Sequence, residues 1–193
     1  KKSPSAIILT RQNLPFLNGK DADCCKFGGY ILSAENSEKK LDVVLIASGS
    51  EVSVAIEAKE KLASQEINAR VVSMPCFELF NKQDQAYKNR VLGSDSILKV
   101  AIEAGIEQGW HKYIGKDGIF IGMNDFGASG KAEDLFPHFG ITAENACNKT
   151  IVELKARRKA AIQKYKDKDD VLDELDKYKD QIRKEVESED EES

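Results

Sequence analysis

The sequence predicts an α/β fold: a mostly parallel, doubly wound sheet flanked by helices and followed by a helical C-terminal extension. Short apolar runs, typical of buried parallel strands, recur at residues 43–47, 69–73, 98–103 and 119–122. Segments with helical periodicity separate these runs, and such crossovers place helices on both faces of a parallel sheet. After residue 142 the pattern changes to charged, continuous helix.

A short turn joins the first regular strand to the first helix. Gly49-Ser50 makes this turn, and Ser50 is placed to cap a helix over residues 51–65. The apolar positions of that helix fall on one face, as expected for packing on a sheet. These positions are Val52, Ala55, Ile56, Leu62 and Ala63.

Pro75 ends the next strand, residues 69–73. Proline cannot donate to a sheet ladder, and it restricts the residue before it. An aromatic loop and a short polar helix are predicted to follow, before the strands at 98–103 and 119–122.

The N-terminal part is predicted to be less regular. Residues 1–17 indicate a strand and a loop, and the polar residues 18–40 indicate an interdomain connection with Asn18-Gly19 and Gly28-Gly29. The chain starts without an initiator Met, in the middle of a pattern, so we expect a piece of a longer protein.

The C-terminal part is predicted to contain two helices. The first covers residues 143–166, a charged break follows at 167–170, and a second helix covers 171–186 with a short heptad-like apolar pattern. A solvated extension with an acidic end is one interpretation, and a partner-binding helix is the other.

Composition and charge exclude several classes of function. The 193 residues carry a formal net charge of −4, so the charge gives no indication of nucleic-acid binding. No apolar run approaches the roughly 18 residues that span a membrane, and no secretory signal precedes the first strand. The four cysteines, at positions 24, 25, 76 and 147, lack zinc-ligand spacing. We therefore expect free thiols in a cytoplasmic protein, with a redox role of Cys24-Cys25 as the alternative.

Two groups of residues invite a functional interpretation. Gly49 and Ser50 lie where a strand meets a helix N-terminus, which can hold an anion; a tight turn with a helix cap is the alternative. Glu103, Trp110, His111 and Tyr113 could form an acid–base cluster. The chain offers no nucleophile–base pair, however, so we expect His111 at the surface and the two aromatic residues in packing or in a subunit interface.

Five sequence blocks, in a fixed order, resemble the C-terminal domain of transketolase. They are SAIILTRQNLP (residues 5–15), IASGSEV (46–52), VVSMPCFELFNKQDQAYKNRVL (71–92), VAIEAG with WHKYIG (100–105 and 110–115), and GM, FGASG and FGITAEN (122–123, 126–130 and 139–145). Related thiamine enzymes share the fold but lack the Met-Pro and Gln-Asp features of the third block.

The resemblance implies a division of the chain into four parts. Residues 1–17 would be the remnant of a preceding pyrimidine-binding domain, 18–40 a linker, 41–155 the transketolase C-terminal domain, and 156–193 a charged helical extension with an acidic end.

The resemblance also implies a parent enzyme and its cofactors. Transketolases transfer a two-carbon ketol unit from a ketose phosphate to an aldose phosphate in the pentose phosphate pathway, as homodimers. They use thiamine diphosphate and a divalent metal, Mg or Ca, held by a Gly-Asp-Gly motif that this chain lacks. The family places those ligands in upstream domains. We therefore expect no catalytic residue, no cofactor-binding residue and no metal ligand here, and no activity of the chain alone.

Arg11 is the substrate-binding residue that the resemblance implies. In the family, the arginine of the RQN motif contacts the phosphate of the sugar substrate, and the guanidinium fork suits phosphate oxygens. The alternative is an arginine in a salt bridge at a strand end.

Two other functions stay open. One is a non-catalytic assembly or regulatory module that uses the same fold, with residues 156–193 binding a partner. The other is a split enzyme whose catalytic domains form a separate chain.

Overall fold

The computed structural model describes residues 4, 6–10, 12–17 and 22–191, within two compact units, residues 1–152 and 153–193. The elements are a 3₁₀ helix Ala22–Phe27, β1 Tyr30–Ser33, β2 Val43–Ala47, α1 Glu51–Ala63, β3 Ala69–Ser73, α2 Phe77–Asn81, α3 Gln85–Leu92, β4 Leu98–Ile102, α4 His111–Ile114, β5 Ile119–Ile121, α5 Ala132–His138 and α6 Ala143–Glu191.

The strands form one mostly parallel, five-stranded sheet, which confirms the predicted fold class. Its strand order is β1-β3-β2-β4-β5, and only β1 runs antiparallel to its neighbour. Val43 of β2 lies opposite Ala69 on one side and Leu98 on the other. All five residues of β2 are buried, and so are those of β4, as expected for strands covered on both faces.

Both faces of the sheet carry a core. Helix α1 packs against β2 and β3 and buries Val52, Ala55, Ala58 and Leu62. On the other face, Val44 and Ile46 of β2 join a buried cluster that includes Met74, Phe80 and Trp110. Successive strand side chains point to opposite faces, so β2 contributes to both cores. Burying each large apolar side chain stabilises the fold by about 1.5–3 kcal/mol.

Aromatic rings from α2 and from the start of α4 contribute to the second core. Phe77 stacks on Tyr113 with ring centroids 4.6 Å apart and meets Trp110 edge-on at 5.0 Å. Phe80 lies 6.0 Å from Tyr113. The prediction that Trp110 and Tyr113 serve packing is therefore confirmed, and His111 between them is exposed, also as predicted.

The predicted linker contains a strand that was not predicted from the sequence. Residues 30–33 pair with β3 as β1, and Gly28 brings the preceding segment close to α2. A Cβ at Gly28, whose φ is +81°, would lie 2.3 Å from the Cys76 carbonyl oxygen. Only glycine fits both this backbone conformation and this close approach.

Buried Asn68 fixes the loop between β1 and β2. Its side-chain amide donates to the carbonyls of Asn36, Lys39 and Lys40, at 2.9, 3.0 and 3.2 Å, and its Oδ1 accepts the N–H of Asn36 at 2.9 Å. Each buried polar atom of this side chain thus has a partner.

The predicted strand near the N-terminus is wrong for the described residues. Residues 6–10 have no strand conformation, and Ile7 and Ile8 are 82% and 95% exposed. A strand needs a neighbouring ladder for its backbone groups, and no strand of the described sheet pairs with this segment.

The predicted break at residues 167–170 is also wrong, because α6 is a single helix of 49 residues. The segment contains neither Gly nor Pro. Gln163 Nε2 donates to Asp167 Oδ1, one turn along, at 2.8 Å. Charged residues are acceptable in an exposed helix, and such i,i+4 contacts support it. In the described part of the chain, no helix combines the length and apolar character needed to cross a membrane.

Candidate functional site

The sheet has a topological switch point between β2 and β4. From β2 the chain crosses to β3 on one side, whereas β4 lies on the other side. The loops after β2 and β4 therefore diverge at the carboxyl edge of the sheet, where open α/β sheets form their ligand crevices. These loops contain residues 48–50 and 103–105, and α1 begins directly after the first of them.

Glu51 occupies the N-terminus of α1 on the β2 side of this crevice. Glu51 is only 4% exposed, and its carboxylate accepts the Ser50 hydroxyl at 2.9 Å. The backbone N–H of Ala104, in the loop after β4, lowers the pKa of Glu51 slightly, against the larger effect of burial. A carboxylate at this position also complements the positive end of the helix dipole.

Glu103 connects the two loops from the β4 side. The Ser48 hydroxyl, directly after β2, donates to Glu103 Oε2 at 2.7 Å. The backbone N–H of Glu103 donates to the Ile121 carbonyl of β5 at 3.0 Å. The two loops of the switch point are thus joined by the hydrogen bond between Ser48 and Glu103.

Both carboxyl groups have pKa values above the ordinary range. Burial raises the pKa of Glu51, against the opposing effect of its backbone and Ser50 hydrogen bonds. Burial likewise raises the pKa of Glu103; the Ser48 bond lowers it, and the charge of Glu51 raises it further. Carboxyl groups with a shifted pKa are frequent at functional sites, but buried structural networks of charged groups also shift pKa values.

The arrangement supports loop positioning better than acid–base chemistry. Both carboxylates are engaged in bonds within the chain, and the exposed His111 pairs with Glu107 at 3.5 Å. Among the residues that the structure describes, no three His, Cys, Asp or Glu side chains are grouped to hold a metal ion.

The predicted anion-binding turn lies at this edge of the sheet. Gly49 has a φ of +52°, and Ser50 is the N-cap residue of α1. Ser50 makes no side-chain capping bond, contrary to the expected cap, because its hydroxyl donates to Glu51 instead. The anionic group at this turn is therefore a carboxylate of the chain itself.

Ser50 also lines a groove of about 410 Å³ together with residues 12–15, α1, α5 and the start of α6. Arg11 itself lies outside the described residues, directly before residues 12–15 of that groove.

The connection between Ser48, Glu51 and Glu103 was not predicted. Its signal is a pair of glutamates that each follow a buried strand, at positions 51 and 103. Because strands 43–47 and 98–102 are adjacent and parallel, the loops after them meet. The strand order was needed to recognise this, and the sequence alone did not provide it.

Fold and site together define an open, doubly wound α/β domain with its crevice at the carboxyl edge of the sheet. Residues 28–142 match the family model described as the transketolase-like TK C-terminal domain. The chain belongs to this family.

Curated relatives and solved structures agree with this assignment. The chain is 49% identical over 159 residues to transketolase 2 of Vibrio vulnificus, and 45% identical over 155 residues to the transketolase of Buchnera aphidicola. These alignments cover 81% and 79% of this chain but 23% of each relative. The structure of transketolase from Pichia stipitis in complex with sedoheptulose-7-phosphate superposes with a TM-score of 0.69 at 37% identity, covering 77% of this chain and 21% of that one.

The chain therefore spans about a quarter of the length of the curated relatives that it matches.

Proposed function

We propose that this chain is the C-terminal domain of a transketolase that transfers a two-carbon ketol unit from a ketose phosphate to an aldose phosphate in the pentose phosphate pathway. The observation that carries the proposal is the family match over residues 28–142, together with the 49% identity to a transketolase. A solved relative is described as a complex with sedoheptulose-7-phosphate, a ketose phosphate, which supports this substrate class.

The proposed contribution of this chain to the substrate site is Arg11. Its guanidinium can bind two phosphate oxygens through parallel N–H bonds, and it stays charged at any physiological pH. The adjoining residues 12–15 line the groove beside α1, which supports a location of this segment next to a cavity. The Gly49-Ser50 turn is a second, weaker candidate for an anion, which would compete with the Glu51 carboxylate.

The proposal assigns thiamine diphosphate and its Mg or Ca ion to the preceding domains of the parent enzyme. When bound, the cofactor would supply the chemistry of ketol transfer. The residues of this chain do not fit that group: the sequence contains no Gly-Asp-Gly, and the described residues hold no group of three metal ligands. Positioning of the substrate phosphate and support of the neighbouring domains are the proposed roles of this chain.

The domain division accompanies this proposal. We propose residues 1–17 as the end of a pyrimidine-binding domain, 18–40 as a connection, 41–155 as the family domain and 156–193 as an extension. The partners would be the upstream transketolase domains and a second copy of the enzyme in a homodimer. We also propose a cytoplasmic location, which the four free thiols support.

A chimera tests the proposal. Residues 4–155 replace the matching segment of the Vibrio vulnificus transketolase, and ketol transfer from xylulose 5-phosphate to ribose 5-phosphate is measured. We expect an active chimera in which Arg11→Ala raises the KM for the donor about 100-fold, because a charged hydrogen-bonding partner of phosphate is lost. Arg11→Lys keeps the positive charge but lacks the forked guanidinium donors. Its KM for the donor should therefore lie between those of the unsubstituted chimera and Arg11→Ala.

The matched control is Arg90→Ala, which removes an arginine from the exposed surface of α3. It should leave the KM within about twofold of the unsubstituted chimera. A folded but inactive chimera would contradict the assignment of this domain to transketolase. An active one with an unchanged KM in Arg11→Ala would remove Arg11 from the substrate site.

A further inference from the structure

Helix α6 carries its charges in two opposite blocks, both of which follow the family-matched residues 28–142. Residues 155–168 contain seven basic residues and one acidic residue, whereas residues 169–193 contain four basic and twelve acidic residues. We call these segments the positive half and the negative half. The negative half includes the C-terminus of the helix, where acidic residues oppose the helix dipole, so the stability of a lone helix does not explain this order of charges.

The continuity of α6 keeps the two halves apart within one chain. A break at residues 167–170 would allow a helical hairpin, but α6 is a single helix of 49 residues. At 1.5 Å per residue, the middle of 155–168 and the middle of 179–192 are separated by about 36 Å along a straight helix. Contacts within the helix reach one turn, as between Arg157 Nε and Glu153 Oε1 at 2.8 Å. Pairing of the positive half with the negative half therefore requires a second chain.

An apolar stripe follows one face of the same part of α6. Tyr165 and Leu172 are 71% and 47% exposed, and Ala161 is exposed as well. Their spacings of four and seven residues place them on one face of a helix. In the sequence, the same heptad spacing continues at Leu175, Ile182 and Val186. We call these six positions the α6 stripe. A single helix cannot bury such a stripe, so it is a contact surface for another helix.

We propose that α6 pairs with α6 of a second copy of this chain, in antiparallel orientation and along the α6 stripe. With the two-fold axis between residues 172 and 175, residues 155–168 of one copy lie along residues 179–192 of the other. The positive half then meets a negative half at both ends of the contact, because a two-fold interface repeats each pair. A parallel pair in register would place like charges side by side, which is unfavourable.

Two lysines within the stripe make this contact weak and reversible. Lys168 and Lys179 also have heptad spacing, and a lysine at such a position restricts register at a cost in stability. In the proposed register, Lys168 of one copy is a neighbour of Lys179 of the other, which lowers the affinity further. The contact is independent of the proposed function, because it uses neither Arg11 nor the family-matched residues.

Analytical ultracentrifugation of the purified 193-residue chain, at increasing protein concentration, tests the pairing. We expect a reversible dimer whose affinity falls at least about tenfold between about 0.05 M and about 1 M NaCl, because salt screens the attraction between opposite charges. A parallel pair, with like charges side by side, would instead become tighter as salt is added.

Zero-length cross-linking of lysines to carboxylates reads out the orientation. Lys164 and Glu185 both flank the α6 stripe and are neighbours across the antiparallel pair. We expect mass spectrometry to find this link in the cross-linked dimer. The two residues are about 31 Å apart along one straight helix, so the link reports a contact between two chains.

Charge-reversed variants of the full chain test the complementarity. One makes the positive half acidic, and the other makes the negative half basic. Each should be monomeric alone, whereas an equimolar mixture of the two should dimerise, because opposite charges then meet again. The substitutions are Lys164→Glu, Lys166→Glu and Lys168→Glu in the first variant, and Asp180→Lys, Glu185→Lys and Glu187→Lys in the second. Recovery in the mixture shows that both variants are folded.

The matched control places the same charge change at exposed positions outside α6. It carries Lys39→Glu, Lys40→Glu and Lys116→Glu. Its dimer affinity should stay within about threefold of the wild-type chain, because the control leaves the charges of α6 unchanged.

Any of four results would overturn the proposal. They are a chain that stays monomeric at every protein concentration, a dimer that salt leaves unchanged or tightens, an equal loss of affinity in the control variant, and a dimer without the link between Lys164 and Glu185.

Discussion

Glu103 is a residue whose ionisation opposes folding. Its folded-state pKa is raised, mainly by burial, so the folded state holds the proton more tightly than the unfolded state does. The stability contributed by this group is present below the ordinary pKa and is lost as pH rises through the folded pKa. Glu51, raised for the same reason, contributes in the same direction.

Glu103→Gln should therefore flatten the pH dependence of stability. The amide oxygen can still accept from the Ser48 hydroxyl, and the repulsion between Glu103 and Glu51 is removed. We expect the difference in thermal unfolding midpoint between Glu103→Gln and wild type to increase in favour of the variant from pH 4.5 to pH 8. The control is Glu60→Gln, at an exposed position of α1. It should change the unfolding midpoint by the same amount at pH 4.5 and at pH 8. Parallel curves of unfolding midpoint against pH for wild type and Glu103→Gln would contradict the raised pKa of Glu103.

Asn68 is the residue on which the loop between β1 and β2 depends most. Asn68→Ala removes four side-chain hydrogen bonds and leaves the carbonyls of Asn36, Lys39 and Lys40 without this donor. We expect a loss of about 2–4 kcal/mol in the free energy of unfolding, measured in urea. Asn36→Ala removes one exposed bond, to the Glu38 N–H, and should cost about 1 kcal/mol or less. Equal losses in the two variants would show that the Asn68 side chain is not the anchor.

At the scale of single elements, β1 depends on the backbone geometry just before it. Gly28→Ala would place a Cβ 2.3 Å from both Cys76 O and Phe80 N, at a φ of +81°. Gly109 has a similar φ of +90° but no neighbour within 4 Å, so Gly109→Ala carries the backbone strain without the clash.

We expect Gly109→Ala to lower the free energy of unfolding by about 1–2 kcal/mol, and Gly28→Ala to lower it clearly more. Hydrogen exchange at residues 30–33 should accelerate in Gly28→Ala and stay unchanged in Gly109→Ala, because only the first loosens β1. Equal effects of the two substitutions would mean that the close approach to α2 does not hold β1.

Helix α6 extends beyond the residues that form the core. The buried positions of its first turns are Ala143, Ala146, Cys147 and Thr150. A chain ending at Lys155 keeps all of them, so its unfolding midpoint should stay within about 2 °C of the full chain. A fall of more than about 5 °C would show that residues 156–193 stabilise the domain and are more than an extension.

For the molecule as a whole, continuous apolar runs were the most reliable guide to the fold. β2 and β3 have the predicted bounds, 43–47 and 69–73, because all or nearly all of their residues are buried. β1 was missed because its four residues are only half-buried and lie among polar ones. The prediction of a break in α6 was wrong, because charge alone does not end a helix when neither Gly nor Pro is present.

The site was less accessible to sequence reasoning than the fold. The resemblance singled out Arg11, which lies outside the described residues, so its role stays a proposal. The bridge between Ser48 and Glu103 joins residues 55 positions apart, and only the adjacency of β2 and β4 brings them together.

The assignment of the catalytic residues to preceding domains is tested with the purified 193-residue chain alone. Ketol transfer from xylulose 5-phosphate to ribose 5-phosphate is measured with thiamine diphosphate and Mg²⁺ present, and cofactor binding is titrated by calorimetry in the same preparation. We expect no turnover and no heat of cofactor binding, because the cofactor ligands are assigned to the preceding domains. Turnover, or binding of one cofactor per chain, would contradict this assignment and require a catalytic site within these residues.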